Sequence, residues 1–472
     1  MRALTASSIL LPLLAACGDA AGPTPEGTAD SGTADVEAVT WHQDIAPVVV
    51  ENCAACHTAG GLAPFELDQY ATASSLAQAI AAAVDEGTMP PFGAQDTDEC
   101  QPLRPLKGDM RLTDEEKALI RDWAAAGAPE GDAATAAAIP EPPSLEIEDP
   151  DWEAELPTAW TVEGTDDQFI CFVIDPDIDE TRWITDIQFL PGNEKIDHHA
   201  LVYHDIEGRS DAWKGEDGTY DCFGDVGDTS AVLLATWAPG AAPMRAPDGA
   251  GFPLWADSRI VVQMHYHPTG EGAEVDLSAL QLKWIDEEPA WEAAQALLGN
   301  NGRQYSDGTG LQPGPNDSGD EAEFIIPAGV SDHVETLLYE QEIDIDFPVY
   351  SIGTHMHYVG TDMKIDLVHN GDDPDEPDTE CLLQTPKWDF NWQRVYDYDV
   401  AIEDLPVISK GERVWMRCTY DNSLDNPDVR QALAEQGLDE PQDVYLGDET
   451  LDEMCLGLFG IVAPVGLMEA IY

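Results

Sequence analysis

The sequence predicts a multidomain fold, a small all-α domain followed by two all-β sandwich domains. Three observations predict it. Short β-like runs such as Ile260-Val261-Val262, Leu280-Gln281-Leu282 and Val414-Trp415-Met416, broken by Gly, Pro and Asp, recur from about Trp160 to Tyr472. Helix signals instead occupy the stretch from Trp41 to Glu130. Stretches of biased composition separate the parts, and no internal repeat stands out. The boundaries that follow are a signal at 1–17, a tether at 18–40, a helical domain at 41–130, a linker at 131–159, and sandwiches at 160–298 and 299–472. Gly, Asn, Asp and Pro accumulate at 286–320, where the two sandwiches would part.

In chain order, Arg2 precedes the apolar run Ile9-Leu10-Leu11-Pro12-Leu13-Leu14 and the box Ala15-Ala16-Cys17, the pattern of an export signal. Leu14-Ala15-Ala16-Cys17 resembles a bacterial lipoprotein signal, in which Cys17 would carry lipid and anchor the chain to the cell envelope. A plain secretory signal is the competing reading. No later run is long enough to span a membrane. The Gly, Ala, Pro, Thr and Asp of the next segment make a flexible tether. Ala71 to Val84 is alanine-rich and helix-forming. Thr113 with Glu116 forms a capping box for a helix through Leu119, Ile120 and Trp123, which Gly127 and Pro129 stop.

Cys53-Ala54-Ala55-Cys56-His57 has the C-x-x-C-H spacing in which two thiols bond covalently to one haem c and the next imidazole ligates iron. The other readings are a disulfide or a zinc half-site, and zinc would want a further ligand pair nearby. Met89, in Gly87-Thr88-Met89-Pro90-Pro91, is the expected sixth ligand, with Met110 as the alternative. The helical domain is therefore expected to be cytochrome c-like.

Only 11 histidines occur in 472 residues, and several cluster in three β-like runs. Residues two apart on a strand share a face, so His355 and His357 can hold one metal while Met356 points away. His198 and His199 are adjacent, so both reach one metal only from a bulge, from a strand end or through different ring nitrogens. His265 lies on another predicted strand and could complete a three-imidazole site. His267 shares its face but precedes Pro268, where the strand can end. Met454 adds a thioether, a soft ligand suited to Cu(I). One site of three imidazoles and one of two imidazoles plus a thioether point to two copper ions. His42, His204, His333 and His369 read as ordinary core or surface residues.

These runs resemble the copper type II ascorbate-dependent monooxygenases, the group of dopamine β-monooxygenase and peptidylglycine α-hydroxylating monooxygenase. Asp197-His198-His199-Ala200 is similar to the family's His-His run, and Gln263-Met264-His265-Tyr266 to that of its third histidine. Gly353-Thr354-His355-Met356-His357 is similar to its His-x-His, and Asp452-Glu453-Met454-Cys455 to its methionine, all in the family's order. The resemblance covers about Trp160 to the C-terminus. It implies two jelly-roll-like sandwiches, an electron-transfer copper on His198, His199 and His265, and an oxygen-activating copper on His355, His357 and Met454. It also suggests the disulfides Cys171–Cys222 and Cys418–Cys455. Cys100 and Cys381 could pair across domains or remain free. The peptide-amidating branch grips a substrate carboxylate with Arg, Asn and Tyr where this chain has Gly353, Leu456 and Leu458, so an apolar or weakly polar small molecule is the expected substrate.

Acidic residues number 92 against 21 basic ones, a formal net charge of −71, which excludes nucleic acid as a partner. High surface acidity also suits a saline habitat, and the run Asp372 to Asp378 reads as a solvated loop. The expectation is an exported copper monooxygenase that hydroxylates a C–H bond with O2. Electrons would come through the fused haem, from ascorbate or from another cytochrome. The alternative is an exported electron-transfer or copper-binding protein without turnover.

Overall fold

A computed structural model describes residues 38–467, apart from 60–62, 141–146, 165, 225, 228–230, 240, 271, 318–321, 372–376, 391 and 450. The export signal, Cys17 and most of the tether lie outside these residues, as does most of the Asp372–Asp378 run.

Val39 to Tyr472 forms one compact unit. Its framework is a ten-stranded sheet with a central path Trp152–Glu155, Ala279–Ile285, Arg182–Leu190, Ala250–Leu254, Trp291–Gly299, Leu456–Pro464, Phe347–His355 and Val395–Asp397. Two five-stranded sheets complete the sandwiches. The first runs Thr219–Asp221, Gln168–Ile174, Arg259–Tyr266, Asp197–Asp205, Val232–Trp237. The second runs Gly310–Leu311, His333–Glu340, Arg413–Tyr420, Gly360–Val368, Thr379–Thr385. The strand Trp291–Gly299 joins the two halves of the long sheet, pairing in parallel with Ala250–Leu254 and antiparallel with Leu456–Pro464.

Alternation explains why these runs fold as strands. In Arg413–Tyr420, Val414, Met416, Cys418 and Tyr420 are buried while Arg413 and Trp415 are exposed. One apolar core runs through both sandwiches and includes Phe172, Phe252, Ile352 and Phe459. Full burial of each such side chain contributes roughly 1.5–3 kcal/mol.

The expected all-α cytochrome c domain is not what the chain builds, and the fold class is mainly β-sandwich. Among the described residues there are four α-helices, of which three precede the strands: α1 (Ala46–Asn52), α2 (Tyr70–Glu86) and α3 (Asp114–Ala125), with α4 at Pro427–Gln436. The capping box forms at α3, where Thr113 and Glu116 bond reciprocally. The first three helices share a small core around Trp41, Ile45, Ala73, Ile120 and Trp123. The segment between α2 and α3, however, belongs to the sandwich. Gln95 N donates to Gln384 O at 3.1 Å and Lys107 N to Asp397 O at 2.8 Å. Phe92, Ala94 and Leu106 enter the sandwich core, and Cys100 is disulfide-bonded to Cys381. Caps and alanine content are local signals that locate helices. They do not report whether those helices close a domain of their own, which long-range contacts decide.

The other disulfides are Cys171–Cys222 and Cys418–Cys455. Three disulfides fit an exported protein in an oxidising compartment. Among the described residues no helix is long and apolar enough to cross a membrane.

Candidate metal centres

His198 and His199 lie at the start of the strand Asp197–Asp205, and His265 lies near the end of its antiparallel neighbour Arg259–Tyr266. His265 pairs with His199, but the next residue, Tyr266, pairs with Asp197, so His198 is an extra residue bulged from the ladder. The bulge removes the geometric obstacle to adjacent histidines sharing one metal. Nδ1 of His199 stands 3.1 Å from Nδ1 of His198 and 3.3 Å from Nδ1 of His265. One ligand atom from each of the three falls within 4.8 Å of the others, a spacing that can hold a metal ion. Phe169 stacks on the His265 ring at 4.2 Å between centroids. Burial, then the neighbouring His265, holds His198 and His199 well below the usual histidine range, so both rings are neutral as ligation requires.

His267 is drawn aside from that cluster. Its Nδ1 lies 2.7 Å from Asp167 Oδ1, while the other carboxylate oxygen stands 3.1 Å from His265 Nε2.

His355 ends the strand Phe347–His355, and His357 follows in the turn before Gly360–Val368. Met356, between them in sequence, is fully buried in the sandwich core. The two rings lie 5.1 Å apart, nearly perpendicular. His355 Nδ1 donates to Gln393 Oε1 at 2.7 Å, and His357 Nδ1 to the Asp452 carbonyl at 3.1 Å. Both Nε2 atoms therefore remain for a ligand. Burial lowers His355 to about 4 and His357 to about 3.

The backbone of Met454 is held near the His355–His357 turn by its own neighbours. The carboxylate of Glu453 accepts the amides of His357, of Met454 at 2.8 Å and of Val359 at 3.2 Å. Tyr420 donates its hydroxyl to Met454 O at 2.9 Å, and the adjoining Cys455 is fixed by its disulfide. Buried Glu453 is pushed up to about 8 by desolvation, against which its amide donors pull it down.

The two histidine groups are near neighbours. Phe390 lies between them, its ring centroid 5.0 Å from that of His198 and 6.0 Å from that of His357. Gln393 donates to Phe390 O, so one loop supplies both the intervening ring and the partner of His355.

At the C-x-x-C-H motif, Cys53 and Cys56 are the free thiols among the described residues. Burial, followed by the charge of Cys56, pushes the Cys53 thiol up to about 12. Burial also raises Cys56, while the nearby Arg394 pulls it down. His57 Nδ1 donates to Phe65 O at 3.1 Å, leaving Nε2 for an axial bond. This donor set fits a covalently attached haem. Met89 follows α2 and is 44% exposed, and no described contact joins it to His57. Met110, the alternative, packs against the sandwich core instead.

The remaining histidines have structural partners. His333 meets Glu335, His369 meets Glu412, and His204 packs on Trp255. Asp167, Phe390, Gln393 and Glu453 were not among the residues singled out from sequence. Only Glu453 carried a local signal, its place beside Met454.

No family model and no curated protein matches the chain. Among solved structures, the naturally occurring empty particles of cowpea mosaic virus give 10% identity over 66% of this chain and 92% of that one, with a TM-score of 0.26. The major capsid protein P2 of bacteriophage PM2 gives 8% identity over 67% and 99%, with a TM-score of 0.24. PNGase F, a glycosylasparaginase from Flavobacterium meningosepticum, gives 8% identity over 65% and 99%, with a TM-score of 0.23. Likenesses of this strength carry no argument about function.

Proposed function

We propose that the chain is a copper-dependent monooxygenase that hydroxylates a C–H bond of a small organic substrate with O2. The observation that carries this reading is the convergence of His198, His199 and His265 at metal-binding distance, with His355, His357 and the Met454 segment beside them. A site of three imidazoles suits a copper that cycles between oxidation states, and a thioether among imidazoles favours Cu(I). Copper, when bound, would supply oxygen activation and one-electron steps. The chain's own residues orient the ligands and keep the imidazoles neutral.

Gly353, Leu456 and Leu458 adjoin His355 in the ladder, where Gly353 pairs with Leu458 and His355 with Leu456. A Cβ at Gly353 would meet Val395 Cγ2 at 3.1 Å and Arg394 O at 3.2 Å, so a side chain there would crowd its neighbours. That arrangement favours an apolar or weakly polar substrate over a carboxylate-bearing peptide. We further propose one haem c on Cys53, Cys56 and His57 as an electron donor, alone or alongside ascorbate, and a lipid anchor at Cys17 to the cell envelope.

Copper analysis with oxygen-uptake measurements on the purified full chain tests the reading. Two coppers per chain and uptake matched to hydroxylated product are expected, with uptake lost in Met454→Ala. Bound copper without uptake across small apolar substrates would instead favour an electron-transfer or copper-binding protein.

A further inference from the structure

We infer that Asp167 is a positioning residue for the three-histidine centre, an outer carboxylate that fixes the His265 ring and sets the balance between the two copper oxidation states. The inference rests on the metal-binding reading of that centre but adds a residue that the ligand pattern does not contain.

Geometry assigns the role. The His199 and His265 Nδ1 atoms face one another at 3.3 Å, which makes Nδ1 the metal-side nitrogen of His265. Its other nitrogen, Nε2, stands 3.1 Å from Asp167 Oδ2, at ion-pair distance though off a straight hydrogen bond. A ligating histidine whose second nitrogen meets a carboxylate has its tautomer and orientation fixed and its basicity raised. Phe169, stacked on the face of the same ring at 4.2 Å between centroids, leaves His265 little freedom to turn.

His267 gives the carboxylate its second anchor. Oδ1 of Asp167 is held 2.7 Å from His267 Nδ1, so the two oxygens are divided between a buried ligand and a histidine that is 36% exposed. His267 follows His265 by two residues, just beyond the end of the strand, and the one carboxylate reaches both. The side chain of Asp167 is itself only 14% exposed.

The charge has a directional consequence. A copper held by three neutral imidazoles keeps its full ionic charge, and a fixed carboxylate nearby stabilises the doubly charged ion more than the singly charged one. Removing the negative charge while keeping the shape weakens Cu(II) binding more than Cu(I) binding, and the reduction potential of this copper rises.

The test compares wild type with Asp167→Asn in the full chain, using Cu(II) and Cu(I) titrations and an EPR-monitored redox titration. The expected result is Cu(II) affinity at the three-histidine centre about 10–100-fold weaker, a smaller change for Cu(I), and a higher potential. Asp167→Glu should recover part of the loss, which a purely structural defect would not allow. Should Asp167→Asn fail to fold, His267→Gln removes only the outer anchor and is expected to shift affinity in the same direction by less. Wild-type copper binding with unaltered affinity and potential in the variants overturns the inference alone. Absence of copper from the wild-type centre overturns both the inference and the functional reading beneath it.

Discussion

Glu453 ties the His355–His357 turn to Met454 by accepting the backbone amides of His357 and Met454 with one carboxylate. Its second oxygen takes the Val359 amide at 3.2 Å. Two segments nearly a hundred residues apart in sequence are thereby held in register at the residues proposed to share a metal. Glu453→Gln keeps the volume but turns an amide group toward amide donors. Copper binding at the His355, His357 and Met454 centre is expected to weaken about 10–100-fold while the three-histidine centre keeps its metal. The lost acceptor should also cost about 1–3 kcal/mol of stability. Copper titration followed by EPR, with urea unfolding, reads both effects. Equal affinity at both centres would show that the clamp is unnecessary.

The disulfide Cys100–Cys381 fastens the stretch between α2 and α3 to the second sandwich across 281 residues. Hydrogen bonds from Gln95 and Lys107 run along the same contact. The Cys100→Ser, Cys381→Ser double variant should lose about 2–5 kcal/mol. Backbone amides of residues 93–107 should exchange faster in it than those of the sandwich core. Uniform exchange would mean that core packing alone holds the segment.

What the sequence disclosed and what it hid follow from the range of each interaction. Alternating burial is a two-residue signal, so the strand Arg413–Tyr420 is legible from composition alone. The pairing of His355 with His357 was expected from alternation, but His355 ends its strand and His357 lies beyond it, so the turn brings the two rings together; the adjacency of His198 and His199 announces that some irregularity is needed. The bulge itself depends on which residue of Arg259–Tyr266 faces which, a fact of register that neither strand carries alone. Gln393 and Asp167 were invisible because each meets its histidine across 38 and about 100 residues respectively. Helices α2 and α3 were legible from the alanine run and from Thr113 with Glu116, whereas α1, α4 and the failure of the early helices to form a separate domain were not, since the segment carrying Phe92 and Leu106 packs into a core built far downstream.

Haem attachment makes a prediction independent of copper. With Cys53 and Cys56 free and His57 held through Nδ1, the full chain matured with haem should carry it covalently through denaturation. Cys53→Ser with Cys56→Ser should abolish the covalent adduct and leave the three disulfides intact. Mass spectrometry under denaturing, non-reducing conditions distinguishes the outcomes. A wild-type chain joined instead by a Cys53–Cys56 disulfide would remove haem from the proposal.

His204 provides a pH test away from either metal centre. Its ring is 1% exposed, packs 5.1 Å from the Trp255 ring, and accepts the Trp255 amide on Nε2 at a long 3.5 Å. Burial, opposed by Asp205, lowers its pKa from 6.5 to about 4. The unfolded chain therefore takes up the proton first as pH falls. Stability from the neutral ring is complete above about pH 6.5, declines toward about pH 4 and changes little below it, a loss of roughly 3 kcal/mol. Buried acids shift the other way, as with Asp397, which burial raises to about 6, so the raw pH curve mixes signs. The difference between wild type and His204→Gln cancels those groups. Urea unfolding at pH 7.5 and pH 4.5 should show wild type losing about 2–3 kcal/mol more than the variant. Parallel curves would show that His204 does not titrate with the depressed pKa its burial implies.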